Sequence, residues 1–210
     1  MKRSILLFIA VLMVIITAYS QEEDSEDIKT IFGEGSYGGF GGPVLKLSPV
    51  HEDMGLLIGG RGGWILDHSF VIGGGGYGLT TSSRFNGTGR HGNDTLCNLN
   101  MGYGGFMVEY ILFPNREYHL SFPLLIGAGG VEIHEGRDYY DYSDYNYNRI
   151  EGGAYVIIEP GVNIELNLLE YFRMGFGASY RYIAGTHLTN VSDKDLSDVS
   201  FNLIFKFGLF

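Results

Sequence analysis

Residues 158–167 alternate without a break. Ile158, Pro160, Val162, Ile164 and Leu166 fall on one face, and Glu159, Gly161, Asn163, Glu165 and Asn167 on the other. A period of two belongs to a β-strand, whose successive side chains point to opposite sides. In a water-soluble sheet the apolar face turns to the core and the charged face to solvent. In a membrane-spanning barrel the assignment reverses, because a carboxylate facing lipid is costly and the lumen is the only polar refuge. The last ten residues repeat the pattern, with Phe201, Leu203, Phe205, Phe207 and Leu209 against Asn202, Ile204, Lys206 and Gly208, and Phe210 at the end. An apolar strand left unpaired at a sheet edge invites aggregation, whereas a closed barrel pairs its last strand with its first. These segments predict an all-β, antiparallel, up-and-down transmembrane β-barrel.

Eight strand-like runs are predicted, at 35–47, 54–66, 69–84, 97–113, 118–134, 152–167, 172–185 and 199–210. Short connections (66–69, 114–117, 168–171) alternate with long polar ones (85–96, 135–151, 186–198), and only 48–53 breaks the rule by being short. Short turns at one rim and long loops at the other are the habit of outer-membrane barrels, with the short turns facing the periplasm. Trp64, Phe70, Phe113, Tyr118, Tyr171 and Phe172 flank the short turns and predict an aromatic girdle at that rim.

The N-terminus fits export. Lys2 and Arg3 precede the uncharged apolar run Ile5–Ala18, then Ala18-Tyr19-Ser20 and the polar Gln21-Glu22-Glu23-Asp24. These are the zones of a secretory signal, and the run is too short to span a bilayer as a helix. The expected organisation is a signal over 1–20 cleaved after Ser20, an acidic leader over 21–33, and the barrel over 34–210. No cysteine follows the run to accept a lipid anchor. Loss of Lys2 and Arg3 moves the formal charge from −10 to −12, so electrostatics gives no reason to bind nucleic acid. Cys97 is the only cysteine, and His51, His68, His91, His119, His134 and His187 show no metal spacing. No cofactor is expected. The 33 glycines beside 29 Phe plus Tyr suit a narrow barrel, with small residues on one strand face and aromatics on the other.

This pattern resembles the small eight-stranded outer-membrane barrels of Gram-negative bacteria, the OmpA-like and OmpX-like group. The resemblance covers residues 34–210 and rests on strand spacing and on segments such as Glu159-Pro-Gly-Val-Asn-Ile-Glu-Leu-Asn and MGFGASY between Arg173 and Arg181. It implies residence in the outer membrane, with lipid and the barrel-insertion machinery as partners. One departure is that Phe210 falls in the frame of Asn202 and Lys206 rather than with the other apolar residues.

Charge again decides which way the strands face. Glu159, Glu165, Arg173, Arg181, Lys206, Lys46 and Arg61 are predicted to point into the lumen, joined by Glu109 if a bulge at Gly104-Gly105 resets its frame. A turn centred near residue 170 sets Glu159 across from Arg181 and Glu165 diagonal to Arg173, predicting two lumenal ion pairs. The expected role is a polar packed core rather than a gated path.

Other motifs carry less. Gly33-Glu-Gly-Ser-Tyr-Gly38 matches GxGxxG without the buried strand and helix a phosphate site needs. His119 and Ser121 share a face, close enough for an imidazole to activate a hydroxyl, as in the outer-membrane lipid A deacylases. No acidic orienter is evident, however, and the pair sits beside a periplasmic turn. The 136–150 loop alternates Tyr139, Tyr140, Tyr142, Tyr145 and Tyr147 with Asp138, Asp141 and Asp144. Tyrosine gives rigid amphipathic contact area, so this loop is the candidate for gripping a surface glycan or protein. The resulting expectation is a non-enzymatic barrel with a structural or surface-interaction role. The chief rival is a soluble, lipocalin-like barrel that buries Ile158, Val162 and Phe176 around an apolar ligand; a small-solute pore and a lipid-modifying enzyme rank below it.

Overall fold

A computed structural model describes residues 37–51, 53–89, 92–135 and 149–210. The signal, the leader, most of the GxGxxG stretch, His91 and the five loop tyrosines lie outside the described residues. Nine antiparallel strands follow in order: β1 Tyr37–Val50, β2 Asp53–Leu66, β3 Phe70–Leu79, β4 Ser83–Thr88, β5 Asp94–Leu112, β6 Tyr118–Glu135, β7 Arg149–Leu169, β8 Phe172–Ala184 and β9 Asp198–Leu209. Each pairs with the next except β3 and β4, which both pair with β5, and β9 pairs back with β1 from Gly39↔Leu209 to Leu47↔Phe201, closing the ring.

The ring has eight positions because β3 and β4 share one, both lying along β5. The predicted strand 69–84 is therefore two strands. Between them the chain leaves the ladder, and Thr80 and Thr81 replace it: the Thr80 hydroxyl donates to Leu56 O at 2.8 Å, and Leu56 N donates to Thr81 Oγ1 at 3.0 Å. Most of the predicted loop 85–96 is likewise strand, with β4 running to Thr88 and β5 starting at Asp94, and Gly92 takes φ 76°. At the opposite end Leu66 pairs with Phe70 across the three-residue connection 67–69, in which Asp67 and His68 adopt left-handed φ values of 51° and 54°.

Alternation holds through β5. The β5–β6 register runs unbroken from Cys97↔Glu135 to Leu112↔Leu120, so the expected bulge at Gly104-Gly105 is absent and Glu109 faces inward in its own frame. Irregularities fall elsewhere, at Ile133/His134 and Asn167/Leu169. Ile158 and Val162 are each 45% exposed and Phe176 is 49% exposed, while Glu159 and Glu165 are buried, so the lipocalin-like facing is overturned.

Apolar lumenal side chains form two separate groups. Phe40, Ile65, Val71, Met107 and Ile111 pack with Phe210 towards the inner end. A larger group including Leu57, Leu99, Ile133 and Ile157 fills the outer half. Residues 185–197 cap that outer group by burying Val191 and Leu196 in it. Inward glycines make room for tyrosines: a Cβ on Gly59 would stand 2.7 Å from the Tyr77 ring and overlap the Gly76 carbonyl, and one on Gly129 would meet the Tyr155 ring. Gly59→Val should therefore destabilise the barrel by about 1–3 kcal/mol, read by urea unfolding in detergent. Gly41→Val, where a Cβ meets nothing within 4 Å, should be nearly silent.

Candidate functional site

The charged side chains converge inside the barrel because each occupies an inward position, on β1, β2, β5, β7, β8 or β9. Glu165 on β7 is the hub of the inner set. Lys206 on β9 lies 2.7 Å from its carboxylate, Arg61 on β2 donates at 3.3 Å, and Ser121 on β6 donates at 2.7 Å. His119 Nε2 lies 3.2 Å from the same carboxylate. Glu109 on β5 accepts from Lys206 at 2.8 Å and from Arg61 at 3.5 Å. In the outer set Glu159 accepts from Lys46 at 2.7 Å, from the Tyr103 hydroxyl at 2.9 Å and from Ser179. Lys46 Nζ also sits 3.5 Å from the centre of the Tyr77 ring, a cation–π contact. Carboxylates taken from water survive when opposite charge and donors surround them, and all three here are supplied from several strands.

The structure thus brings together six of the expected residues: Lys46, Arg61, Glu109, Glu159, Glu165 and Lys206. Arg181 and Arg173 are buried too, but in other company, and the two expected ion pairs are not the ones formed. The register is as anticipated, with Ile158↔Tyr182 and Gly161↔Ser179 placing Glu159 level with Arg181. Lys46, reaching across from β1, takes the Glu159 carboxylate instead. Arg181 turns to the outer end, donating to Leu196 O at 2.8 Å and Pro49 O at 3.0 Å. Arg173 lies 3.9 Å from the Phe210 ring centre, because Lys206, Arg61 and Ser121 already occupy Glu165. In a narrow barrel, side chains facing each other across the lumen compete with neighbours on adjacent strands, and strand pairing alone does not rank them.

His119 and Ser121 do have an acidic neighbour, contrary to the sequence reading. His119↔Glu165 is a register pair. The geometry is nonetheless not that of an activated nucleophile: Ser121 donates to Glu165 rather than to His119 and accepts from Asn163 Nδ2 at 3.1 Å. Both residues are at most 2% exposed, so no substrate reaches them. Sequence reasoning passed over Tyr103, although its inward frame was readable beside Met101, and it set Ser179 and Asn202 on the faces of Arg181 and Lys206 without giving them a role. Among the charged residues lies a small cavity of about 20 Å³, bordered by Lys46, Arg61, Glu159 and Asn202, room for about one water.

The outer cap is latched by side-chain-to-backbone bonds. Asp193 accepts from the Thr186 hydroxyl and from the Gly185 and Thr186 amides, and Glu151 accepts from the Thr189 and Asn190 amides at 2.9 Å each. Asn190 reaches on to β4, donating to Thr88 O at 3.2 Å.

Comparison with known proteins turns on this shape. No family model and no curated protein matches the chain. Among solved structures, Neisserial surface protein A (NspA) matches at a TM-score of 0.50 with 7% identity, over 82% of this chain and 96% of its own. Ail, the attachment invasion locus protein of Yersinia pestis, matches at 0.45 with 11% identity over 84% and 99%. Ail in complex with the heparin analogue sucrose octasulfate matches at 0.45 with 13% identity over 83% and 99%. This chain has the fold of the small eight-stranded outer-membrane β-barrels of Gram-negative bacteria. In such a barrel the exposed outer face is the lipid face, and Trp64, Tyr118 and Tyr171, the first 71% exposed, stand at the rim of the short turns.

Two outcomes follow for the cluster and the cap. Glu159→Leu should cost about 3–5 kcal/mol by stranding Lys46, and adding Lys46→Met should recover most of that, measured with the Lys46→Met single variant as a double-mutant cycle in detergent. In the cap, the Thr186 hydroxyl, with the Gly185 and Thr186 amides, holds the Asp193 carboxyl below its ordinary 3.8. A lowered folded-state value means the stabilisation is complete above the unfolded value and lost as pH falls through the folded one. The Gly185 and Thr186 amides should therefore stay protected from hydrogen exchange at pH 5 and lose protection only below about pH 4.

Proposed function

We propose that this protein is a non-enzymatic resident of the outer membrane that acts through its external surface. The sealed interior carries this reading. The polar cluster is buried, two apolar groups and the 185–197 cap fill the barrel around it, and the cavity among the charges has a volume of about 20 Å³. Among the described residues this packing favours neither solute passage nor chemistry at His119 and Ser121, which supports interaction at the outer ends of the strands and the loops that join them.

That outer end is acidic. Among the described residues Asp53, Asp94, Glu132, Glu135, Glu151, Asp193, Asp195 and Asp198 outnumber Arg84, Arg149 and Lys194 there. The neighbouring loop adds Asp138, Asp141 and Asp144 between its tyrosines. Carboxylates repel a polyanion and favour a basic partner, and tyrosine faces add stacking area for a cation or a sugar ring. The partner this surface fits is a basic protein segment or a neutral glycan.

Deleting residues 138–148 tests the reading. Adhesion of cells bearing the protein to basic protein surfaces and neutral glycans should fall to the level of cells lacking it, with barrel insertion unchanged by heat-modifiable migration. Unchanged adhesion would remove the surface role from this loop, and stepwise conductance of the intact protein in planar bilayers would replace the sealed barrel with a pore.

A further inference from the structure

Towards their outer ends β5, β6 and β7 enclose a depression of about 520 Å³ in the outward wall of the barrel. Its shape follows from register. Gly102 pairs with Gly130 and Gly130 with Ala154, and one level further out Asn100 pairs with Glu132 and Glu132 with Gly152. Met101, Val131 and Tyr155, which alternate with them, are buried in the lumen, so these six positions face outward. The chain's own packing does not require glycine at the centre: a Cβ on Gly130 would have its nearest neighbour at 3.8 Å, and one on Gly102 at 3.4 Å. Larger side chains would fit there and fill the hollow. Gly152 differs, because a Cβ on it would overlap the guanidinium of Arg149, which occupies that space.

The polar groups around this floor are held in place and only partly used. Arg149 Nη1 lies 3.2 Å from Glu132, whose other oxygen is 3.4 Å from His134 Nε2. Glu132 is therefore an anchor that fixes the guanidinium over Gly152. Among the described residues the Arg149 Nε and Nη2 donors and the Asn100 carboxamide have no hydrogen-bond partner, and the Arg149 side chain is 46% exposed.

The level of the site decides what it meets. A tilted strand crosses the hydrocarbon in about 9–11 residues. Counted from Tyr118 at the rim of the short turns, the outer boundary falls near Ala128 on β6, and from Leu166, the register partner of Tyr118, near Val156 on β7. Gly130, Glu132, Ala154 and Arg149 stand beyond it, so the depression opens sideways among head groups and not onto acyl chains. One carboxylate and one guanidinium share its lining, so a ligand charge of either sign meets a like charge as well as an opposite one. A neutral sugar ring avoids that conflict. Its hydroxyls can accept from Arg149 and Asn100 and donate to Asn100 and to the lone pairs left on Glu132, while its C–H face rests on Gly102, Gly130 and Ala154.

We propose that this depression binds one neutral hexopyranose ring, with Arg149 and Asn100 as its principal hydrogen-bonding contacts. The inference deepens the glycan arm of the proposed surface role and rests on that reading, in which the outer end of the barrel faces the exterior. Two sources supply such a ring, the head of a glycolipid in the same leaflet and a free glycan.

Saturation-transfer NMR on the full chain, refolded in a detergent without a sugar head, reads the site with lactose, maltose and N,N′-diacetylchitobiose as soluble probes and their octyl glycosides as anchored ones. At least one of these sugars should receive saturation from the native barrel. Gly130→Leu should remove that transfer by filling the hollow, and Arg149→Gln should weaken binding about tenfold by taking away a charged donor. Ala178→Leu, on the outward face of β8, should leave it unchanged. Heat-modifiable migration identifies variants that still form barrels, and Ala154→Leu replaces Gly130→Leu if that variant does not. Transfer confined to the octyl glycosides and lost in Gly130→Leu supports the site with a glycolipid head as source, and equal transfer to the soluble sugars supports it with a free glycan. Absence of transfer to every probe, or equal transfer by the native and filled barrels, would overturn the proposal. Each of these variants keeps residues 138–148, so this readout and the adhesion readout fail independently.

Discussion

The pairing of β9 with β1 is the interaction on which everything else depends. It satisfies the backbone groups of what would otherwise be two open sheet edges, which no lipid could do, and it separates an inside from an outside. Once the ring is closed, the two-residue period of every strand assigns half its side chains to each environment. The polar residues of eight staves are forced into one narrow space, where three carboxylates must share a limited set of cations and hydroxyls.

Closure at eight positions also sets the scale of the interior. Side chains from facing walls touch, so a lumen of this width is filled rather than open. Tyr77 and Tyr155 lie on inward glycines, the apolar groups take both ends, and the charged network takes what remains. A filled interior moves function to the outside of the barrel. The acidic outer end is the exterior that the proposed surface role would use.

Strand identity, direction and facing were legible because alternation is a local property. Residues 158–167 announce their own facing, and charge fixes its sign for the entire barrel. The division of the third stave was not legible, since Thr80 and Thr81 substitute for ladder bonds only when Leu56 of β2 lies alongside. The bulge invoked for Glu109 came from a frame that the intact β5–β6 register does not need. The misassigned ion pairs have the same origin: strand pairing put Glu159 level with Arg181, but partner choice was decided across the lumen by Lys46 from β1.

The sequence by itself determined the all-β architecture, the inward set of Lys46, Arg61, Glu109, Glu159, Glu165, Arg173, Arg181 and Lys206, and the rim that carries the aromatics, because each follows from periodicity and the cost of charge in lipid. Only the tertiary structure decided which of these side chains meet, and that Glu165 gathers His119, Ser121, Arg61 and Lys206. Those outcomes depend on distances between strands far apart in the chain, and such distances exist only after the ring has closed.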